Sequence, residues 1–392
     1  MDRSALQTER GRQWASTMAG HDVSGVRRAH ADSTAQLGGD DGDGTGGAGG
    51  APALGRLERE AFEDLVLAPG ATRARAAGRR VKPEEPDPWR TCFERDRDRI
   101  LHATAFRRLA GKTQVFVFPA DHQRTRLTHA LEVAQVATGI ARVLRLNVAL
   151  TEAIALGHDC GHGPGGHMSE DALGIFLPEG FDHAVWGADV SLSALNLCDE
   201  TLDGIRNHSW SRPAPATPEG EVVSWADRIA YVCHDWEDAV SAGIVVPALL
   251  PDAVRVRCGE TRSNQLRTFI EAMVATALNT GVIGMDEELA EALAAFRRCN
   301  YDHVYLRPAS VSQGASVVAV LRALVEHFAD QPNRIPGVHR GGGLAGGSEA
   351  AVAEAVAYVA GMTDRFAMGA AVSELGWDPD SLPRGVDYLS VR

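Results

Sequence analysis

The stretch TEAIALGHDCGHGPGGH, residues 151–167, decides how the rest of the chain is read. Its first half is rich in alanine and leucine and reads as a helix. Its second half sets His158, Asp159, His162 and His167 among glycines and a proline. Gly161, Gly163 and Pro164 break the helix just past the His158-Asp159 pair. Both side chains therefore stand near a helix end, where they can reach a metal held between this helix and its neighbours. A lone His-Asp dipeptide carries little information, so the question is what else in the chain completes a site around it.

Two further ligands are at hand. His129 heads HALEVAQVATGIARVLRL, in which Val133, Val136, Ala137, Ile140, Val143 and Leu144 recur at three- and four-residue steps and form one apolar helical stripe. Asp227 lies in SWADRIAYVCHD, another apolar-patterned helix. His129, His158, Asp159 and Asp227 make a set of two imidazoles and two carboxylates from three helices. Mixed nitrogen and oxygen ligation suits Mn²⁺, Fe²⁺, Co²⁺, Zn²⁺ or Mg²⁺. Four protein ligands leave room for a water or phosphate oxygen only in expanded coordination, which favours a six-coordinate ion such as Mn²⁺ or Mg²⁺ over a closed structural zinc. Taken by themselves, the residues leave open the alternative that each histidine is a hydrogen-bonded core or surface residue.

Composition bounds the class. With 392 residues, 44% of them hydrophobic, the chain can bury a substantial core. No run of about 18 apolar residues marks a membrane span, and MDRSALQTERGRQW lacks the apolar segment of a secretory signal. Six cysteines without a CxxC pair read as reduced thiols. The expected location is cytoplasmic. A net charge of −13 argues against a general nucleic-acid binder. An arginine-dense stretch (Arg90, Arg95, Arg97, Arg99, Arg107, Arg108, Arg124, Arg126) reads first as a solvated helix face paired with Glu94, Asp96 and Asp98, although arginine forks also suit phosphate.

The organisation read from the pattern is mainly α-helical with few short strands, TQVFVF (113–118) being the best strand candidate. Residues 1–55 are expected to be a disordered tail, since GGDDGDGTGGAGG (38–50) cannot form a core. That stretch is no calcium loop, because Thr45 and Pro52 stand where ligands belong. Residues 56–392 are expected to form one helical domain, with a metal core over about 90–240 and a helical C-terminal region, 241–392, carrying a glycine-rich loop at 337–350. AGKT (110–113) is no phosphate-binding P-loop, because Phe106 occupies the required glycine position.

Several stretches, in this order, resemble the HD-domain deoxynucleoside triphosphate triphosphohydrolases, the dGTPase group. They are FERDRDRILHATAFRRLAGKTQVF, RTRLTHALEVAQV, EAIALGHDCGHGPGGHMSE, NHS, ADRIAYVCHD, YLRPASV and MTDRFA. The resemblance covers most of the chain after residue 60. It implies a multi-helix HD-domain fold, one divalent metal per subunit on His129, His158, Asp159 and Asp227, and catalytic roles for His167 and Glu170 at the scissile phosphate. Three residues apart, Glu170 is expected to orient the His167 imidazole. The resemblance also implies phosphate-facing roles for His162 and His183, a phosphate or sugar contact for Arg126, a base contact for Gln114, and a deoxyribose wall built from Tyr231 and Asp235. The implied activity is hydrolysis of a dNTP, dGTP foremost, to deoxynucleoside and triphosphate. The implied partners are the dNTP, a nucleotide activator and further copies of the chain, with a hexamer admissible.

Two departures stand out. The family's aromatic residue before the catalytic histidine is here Gly165, which is expected to loosen the loop carrying His167. After His183, AVWGADVSL replaces the usual AEQSLR, altering the lining near the α-phosphate. Competing readings are an HD phosphohydrolase acting on nucleoside monophosphates or cyclic nucleotides, which the contexts of Gln114, Arg126 and Tyr231 disfavour, and a nucleotide-sensing or single-strand-binding protein, which the acidic balance disfavours.

Overall fold

The computed structural model describes residues 53–119, 123–338 and 343–383, together with 9, 12, 18–23 and 25–33. The chain forms two compact units, Met1–Leu54 and Gly55–Arg392. In the first, where a structureless tail was expected, β1 (His21–Val23) and β2 (Val26–Arg28) pair as an antiparallel hairpin, His21 opposite Arg28. Gly25, at φ +80°, supplies the left-handed residue that so tight a turn needs. The Gly/Asp-rich stretch 38–50 lies outside the described residues, as does part of the 337–350 loop.

The second unit is helical and carries no further strand among the described residues. Its elements are α1 (Arg56–Val66), α2 (Cys92–His102), α3 (Thr104–Arg108), α4 (Arg126–Val143), α5 (Val148–Gly157), α6 (Met168–Leu173), α7 (His183–Trp186), α8 (Asp199–Arg206), α9 (Pro218–Ser241), α10 (Asp252–Cys258), α11 (Arg262–Thr280), α12 (Glu287–Asn300), α13 (Pro308–Asp330), α14 (Glu349–Ala360) and α15 (Asp364–Leu375). Residues 113–118, expected as a strand, bend instead and contribute one bridge, Thr113 to Thr125.

Local chemistry explains the helix starts that matter. Thr91 and Glu94 form a capping box at the head of α2. Asn147 caps α5 through Leu150 N. Thr217 caps α9, whose first residue, Pro218, needs no backbone donor. Helices α4, α5 and α9 pack on one another, with α2 against α5. Their apolar stripes meet in one core that includes Val133, Ile140, Ile154, Leu156, Val222 and Ile229, all essentially inaccessible.

The packing boundary does not fall at 240. Phe269, Phe296 and Val304 belong to this first core. A second core forms around α13 from Val317, Val320, Leu321, Leu324 and Phe328, with residues of α14, α15 and α6. Helix α13 is long and apolar enough to cross a membrane by length and composition. Its apolar stripe is instead the centre of that core.

A short loop, 161–167, joins the two cores, and glycine is required in it. A Cβ at Gly161 would stand 1.9 Å from the His183 carbonyl oxygen. Gly165 and Gly166 have φ of +74° and +65°, and a Cβ at Gly165 would meet Val317 at 2.5 Å. The expectation that Gly165 loosens this loop is therefore corrected. Gly165 N donates to Asp364 Oδ1 at 2.9 Å, while Asp364 Oδ2 accepts from Thr113 N at 2.8 Å and Thr113 Oγ1 at 2.6 Å. Buried Lys112 donates to the carbonyls of His162 and Ala360.

Asp364→Ala strands two buried backbone donors, each worth about 1–3 kcal/mol when left unpaired. The variant should unfold at a clearly lower denaturant concentration, with a loss of about 2–4 kcal/mol. Phe366→Ala, two residues on and exposed, should stay within about 0.5 kcal/mol of the parent by the same denaturation curve.

Candidate active site

The four sequence-assigned ligands converge from the head of α4, the end of α5 and the middle of α9. His129 Nε2 lies 2.9 Å from Asp227 Oδ1 and 4.0 Å from Asp159 Oδ2. His158 Nε2 lies 3.5 Å from Asp159 Oδ1 and 3.7 Å from Asp227 Oδ1. His158 Nδ1 donates to the Ala155 carbonyl at 2.7 Å, which fixes the tautomer and turns the Nε2 lone pair inward, where it has no hydrogen-bond partner. Ligand atoms of His129, His158 and Asp227 all lie within 4.8 Å of one another. An unpartnered buried imidazole nitrogen aimed at two carboxylates is a donor set that fits a divalent cation.

Arg126 opens α4 one turn before His129. Only 1% exposed, it donates from Nη1 to Asp159 Oδ2 at 2.7 Å. Its Nη2 stands 3.4 Å from His167 Nδ1, and its Nε has no partner. Burial alone would push the Asp159 carboxyl upward. The Arg126 guanidinium, with His158 and His162, instead holds it well below the usual carboxylate range.

The remaining histidines gather on the other side of Asp159. Ligand atoms of His162, His167 and His183 lie within 4.8 Å of one another, and the His162 and His183 rings stack at 3.7 Å. His162 is fully buried with neither ring nitrogen hydrogen-bonded, although Nε2 lies 3.2 Å from Asp159 Oδ1. His167 keeps an exposed edge, yet the protein around it and the charges of Arg126 and His183 lower its pKa to about 4.

Glu170 does not orient His167. Its Oε1 accepts from His183 Nδ1 at 2.6 Å and from the His183 backbone N at 3.0 Å. The reason is local: α6 begins at Met168, so His167 precedes the helix and turns toward Arg126, while Glu170 faces the start of α7. With His183 as its partner, Glu170 has its pKa lowered to about 2, against the opposing effect of burial.

Gln114 Oε1 is buried without a hydrogen-bond partner. Tyr231 Oη accepts from Arg297 Nε at 2.8 Å. Asp235 is already engaged: it pairs with Arg124, and Tyr305 Oη donates to it. Most of the arginine-dense stretch lies outside the site. Arg90 pairs with Asp87 and Asp98, Arg95 and Arg99 with Glu84, and Arg97 with Asp98 and Glu152. These partners differ from Glu94 and Asp96, which are taken by Arg59 and Arg80.

Two groups escaped the sequence reading. His208, from the quoted NHS, is buried with its ring centroid 4.9 Å from that of His158. Arg124 is buried and ties Asp235 to Glu132 and Asp238. Its signals were its place in the arginine-dense stretch and in RTRLTHALEVAQV, neither of which gave it this role.

Residues 126–232 match the HD domain family model, and residues 283–371 match that of a phosphohydrolase-associated domain. The chain is 40% identical over 320 residues to the deoxyguanosinetriphosphate triphosphohydrolase-like protein of Caldanaerobacter subterraneus subsp. tengcongensis, covering 79% of this chain and 93% of that one. It is 38% identical to the protein so named from Clostridium perfringens strain SM101, covering 78% and 93%, and 35% identical to that of Roseobacter denitrificans, covering 75% and 93%.

Replacing a ligand should remove the ion. His158→Ala and Asp227→Ala should each leave purified, Mn²⁺-loaded protein with little or none of the metal of the parent by elemental analysis, and with a lower melting temperature in excess Mn²⁺, because binding to the native state alone stabilises it. Full metal content in both variants would show that the cluster is not the binding site.

Proposed function

This chain belongs to the HD-domain family of deoxyguanosinetriphosphate triphosphohydrolase-like proteins, and from that premise we propose that it hydrolyses deoxynucleoside triphosphates, dGTP foremost, to deoxynucleoside and inorganic triphosphate. The observation that carries the reading is the juxtaposition across Asp159. On one side stand His129, His158 and Asp227; on the other stand Arg126 and the partly solvent-facing His167.

In the reaction a water oxygen bonds to the α-phosphorus, the bond from that phosphorus to O5′ breaks, and O5′ takes a proton. A divalent ion on His129, His158, Asp159 and Asp227 would supply Lewis-acid stabilisation of charge on the α-phosphate. Arg126, fixed by Asp159 and with Nε still free, offers donors to phosphate oxygens in a site from which most water is excluded. His167 is assigned to protonate O5′. In the free site its surroundings and the charges of Arg126 and His183 favour the neutral ring. A bound polyphosphate adds negative charge opposite Arg126 and His183 and so favours the imidazolium that the leaving group requires. Glu170 acts on His183, holding that ring beside His162 for the phosphates. Gln114 is assigned to the base and Tyr231 to the deoxyribose, where its ring would leave no space for a 2′-hydroxyl. Asp235 then serves through its network with Arg124 and Tyr305.

Incubation with each of the four dNTPs and Mn²⁺, Mg²⁺ or Co²⁺ should release triphosphate and deoxynucleoside, whereas orthophosphate or no product would contradict the assignment. His167→Ala should keep its metal and a similar nucleotide Kd by calorimetry, while single-turnover rates fall about 10²–10⁴-fold, the usual worth of a positioned acid. Turnover near that of the parent would remove His167 from catalysis. Glu170→Gln should lose less, since its carboxylate contacts His183 rather than the leaving group.

A further inference from the structure

We propose that Cys92 and Cys198 form a dithiol that a hydroperoxide oxidises to an intrachain disulfide. The proposal stands independently of the activity proposed above. It starts from Gly78, whose φ is +88°. A Cβ on this residue would stand 2.8 Å from both Cβ and Sγ of Cys92 and 3.7 Å from Cys198 Sγ. Glycine leaves that space to the two sulfurs. The Cys198 thiol donates to Cys92 Sγ, and this hydrogen bond, together with burial, pushes the Cys198 thiol up. The Cys92 thiol in turn donates to the Ala74 carbonyl, with Sγ 3.7 Å from the oxygen.

The backbone on both sides is pinned. Cys92 is the first residue of α2, behind the capping box of Thr91 and Glu94. Cys198 precedes α8; its backbone N donates to Asp96 Oδ2 at 2.8 Å, and it pairs with Arg80 in an isolated bridge. Between them, Gly78 N donates to Glu200 Oε2 at 3.2 Å and Arg80 Nη2 to the Cys92 carbonyl at 3.0 Å. Two cysteines far apart in sequence are thus held side by side. Thiol hydrogen bonds are weak, so little resists the side-chain rotation that closes an S–S bond.

The two thiols differ in access. Cys198 is fully buried, whereas Cys92 is half-buried and lines a cavity of about 300 Å³ whose walls include the exposed Arg75 and Arg90. The remaining four cysteines are all buried, so an oxidant meets Cys92 first. The Cys92 sulfur takes an oxygen of the hydroperoxide; the O–O bond breaks, leaving a sulfenic acid and an alcohol or water. The Cys198 sulfur then attacks the sulfenic sulfur, the S–O bond breaks, and water leaves as the S–S bond forms. The two thiols together lose two electrons and the peroxide gains them. Arg80, whose Nη1 is 2.6 Å from Asp96 Oδ1, stands beside Cys198 and favours its thiolate in the second step. The bond would join the heads of α2 and α8 and close a loop of about 100 residues that carries His129, His158, Asp159 and His167. Cross-linking so long a loop restricts the unfolded chain and thereby stabilises the native one.

The test treats the fully reduced, full-length chain with a small excess of hydrogen peroxide, then blocks the remaining thiols with iodoacetamide in denaturant. The parent should lose two of its six thiols, and a non-reducing digest should yield peptides linked through Cys92 and Cys198 of one chain. Dithiothreitol should restore all six thiols, and the oxidised chain should melt at a higher temperature than the reduced one. Cys198→Ser should stop at the sulfenic acid, trapped on Cys92 by dimedone, and Cys92→Ser should form no intrachain link. Six thiols surviving in the parent would overturn the proposal. So would a link between other cysteines or between chains, or a sulfinic acid on Cys92 in place of the link.

Discussion

The structure is organised around the burial of Asp159. A carboxylate 3% exposed, surrounded by four imidazoles, could not stay ionised without compensation. Arg126 provides part of it through one charge-assisted hydrogen bond. The rest comes from the histidines and from the cation that the set is built to take. Asp227, the second carboxylate, is likewise drawn low by its contact with His129 and by His158, against the pull of burial. Removing the metal from such a site leaves charges that each side chain alone cannot balance. That is why ligand exchange should show in stability as well as in turnover.

Precision in this cluster depends on a loop that cannot relax. Between α5 and α6 the backbone passes so close to His183, Arg126 and Val317 that side chains at Gly161, Gly166 and Gly165 would collide with them. Lys112 and Asp364, both buried, tie that backbone to residues 112–113 and to the start of α15. The C-terminal helices therefore do more than cover apolar surface. They hold the segment that presents His162 and His167, which gives a physical reason for the HD domain and the phosphohydrolase-associated domain to occur in one unit. At position 165 a side chain would run into Val317 of α13, and Asp364 holds the glycine's backbone instead.

Much of the fold and the convergence of His129, His158, Asp159 and Asp227 were legible because helical periodicity is a strong local signal. The stripes beginning at Val133 and Val317 are the centres of the two cores, and glycine and proline mark where α5 stops. What escaped depended on tertiary geometry. The spacing of His167 and Glu170 shows that they could meet on a helix, but α6 starts one residue too late for that, and His183 arrives from thirteen residues away. His208 was legible only as part of NHS, with no role attached; the turn after α8 brings its ring beside that of His158. The apolar alternation of TQVFVF suits a strand, but among the described residues no partner strand lies beside it, and it is spent on core contacts and the Thr113 clamp. Arginine pairing across α2 was legible in kind and for Asp98, while Glu84 and Glu152 are brought in from other segments.

The central claim is that this cluster directs water to the α-phosphorus of a deoxynucleoside triphosphate. The most direct measurement follows dGTP turnover by the Mn²⁺-loaded chain in ¹⁸O-water, using ³¹P nuclear magnetic resonance after metal removal and mass spectrometry of the nucleoside. The account predicts one labelled oxygen in inorganic triphosphate, on a terminal phosphorus, and none in deoxyguanosine. Label in orthophosphate or pyrophosphate, or in the deoxyguanosine hydroxyl, would contradict it.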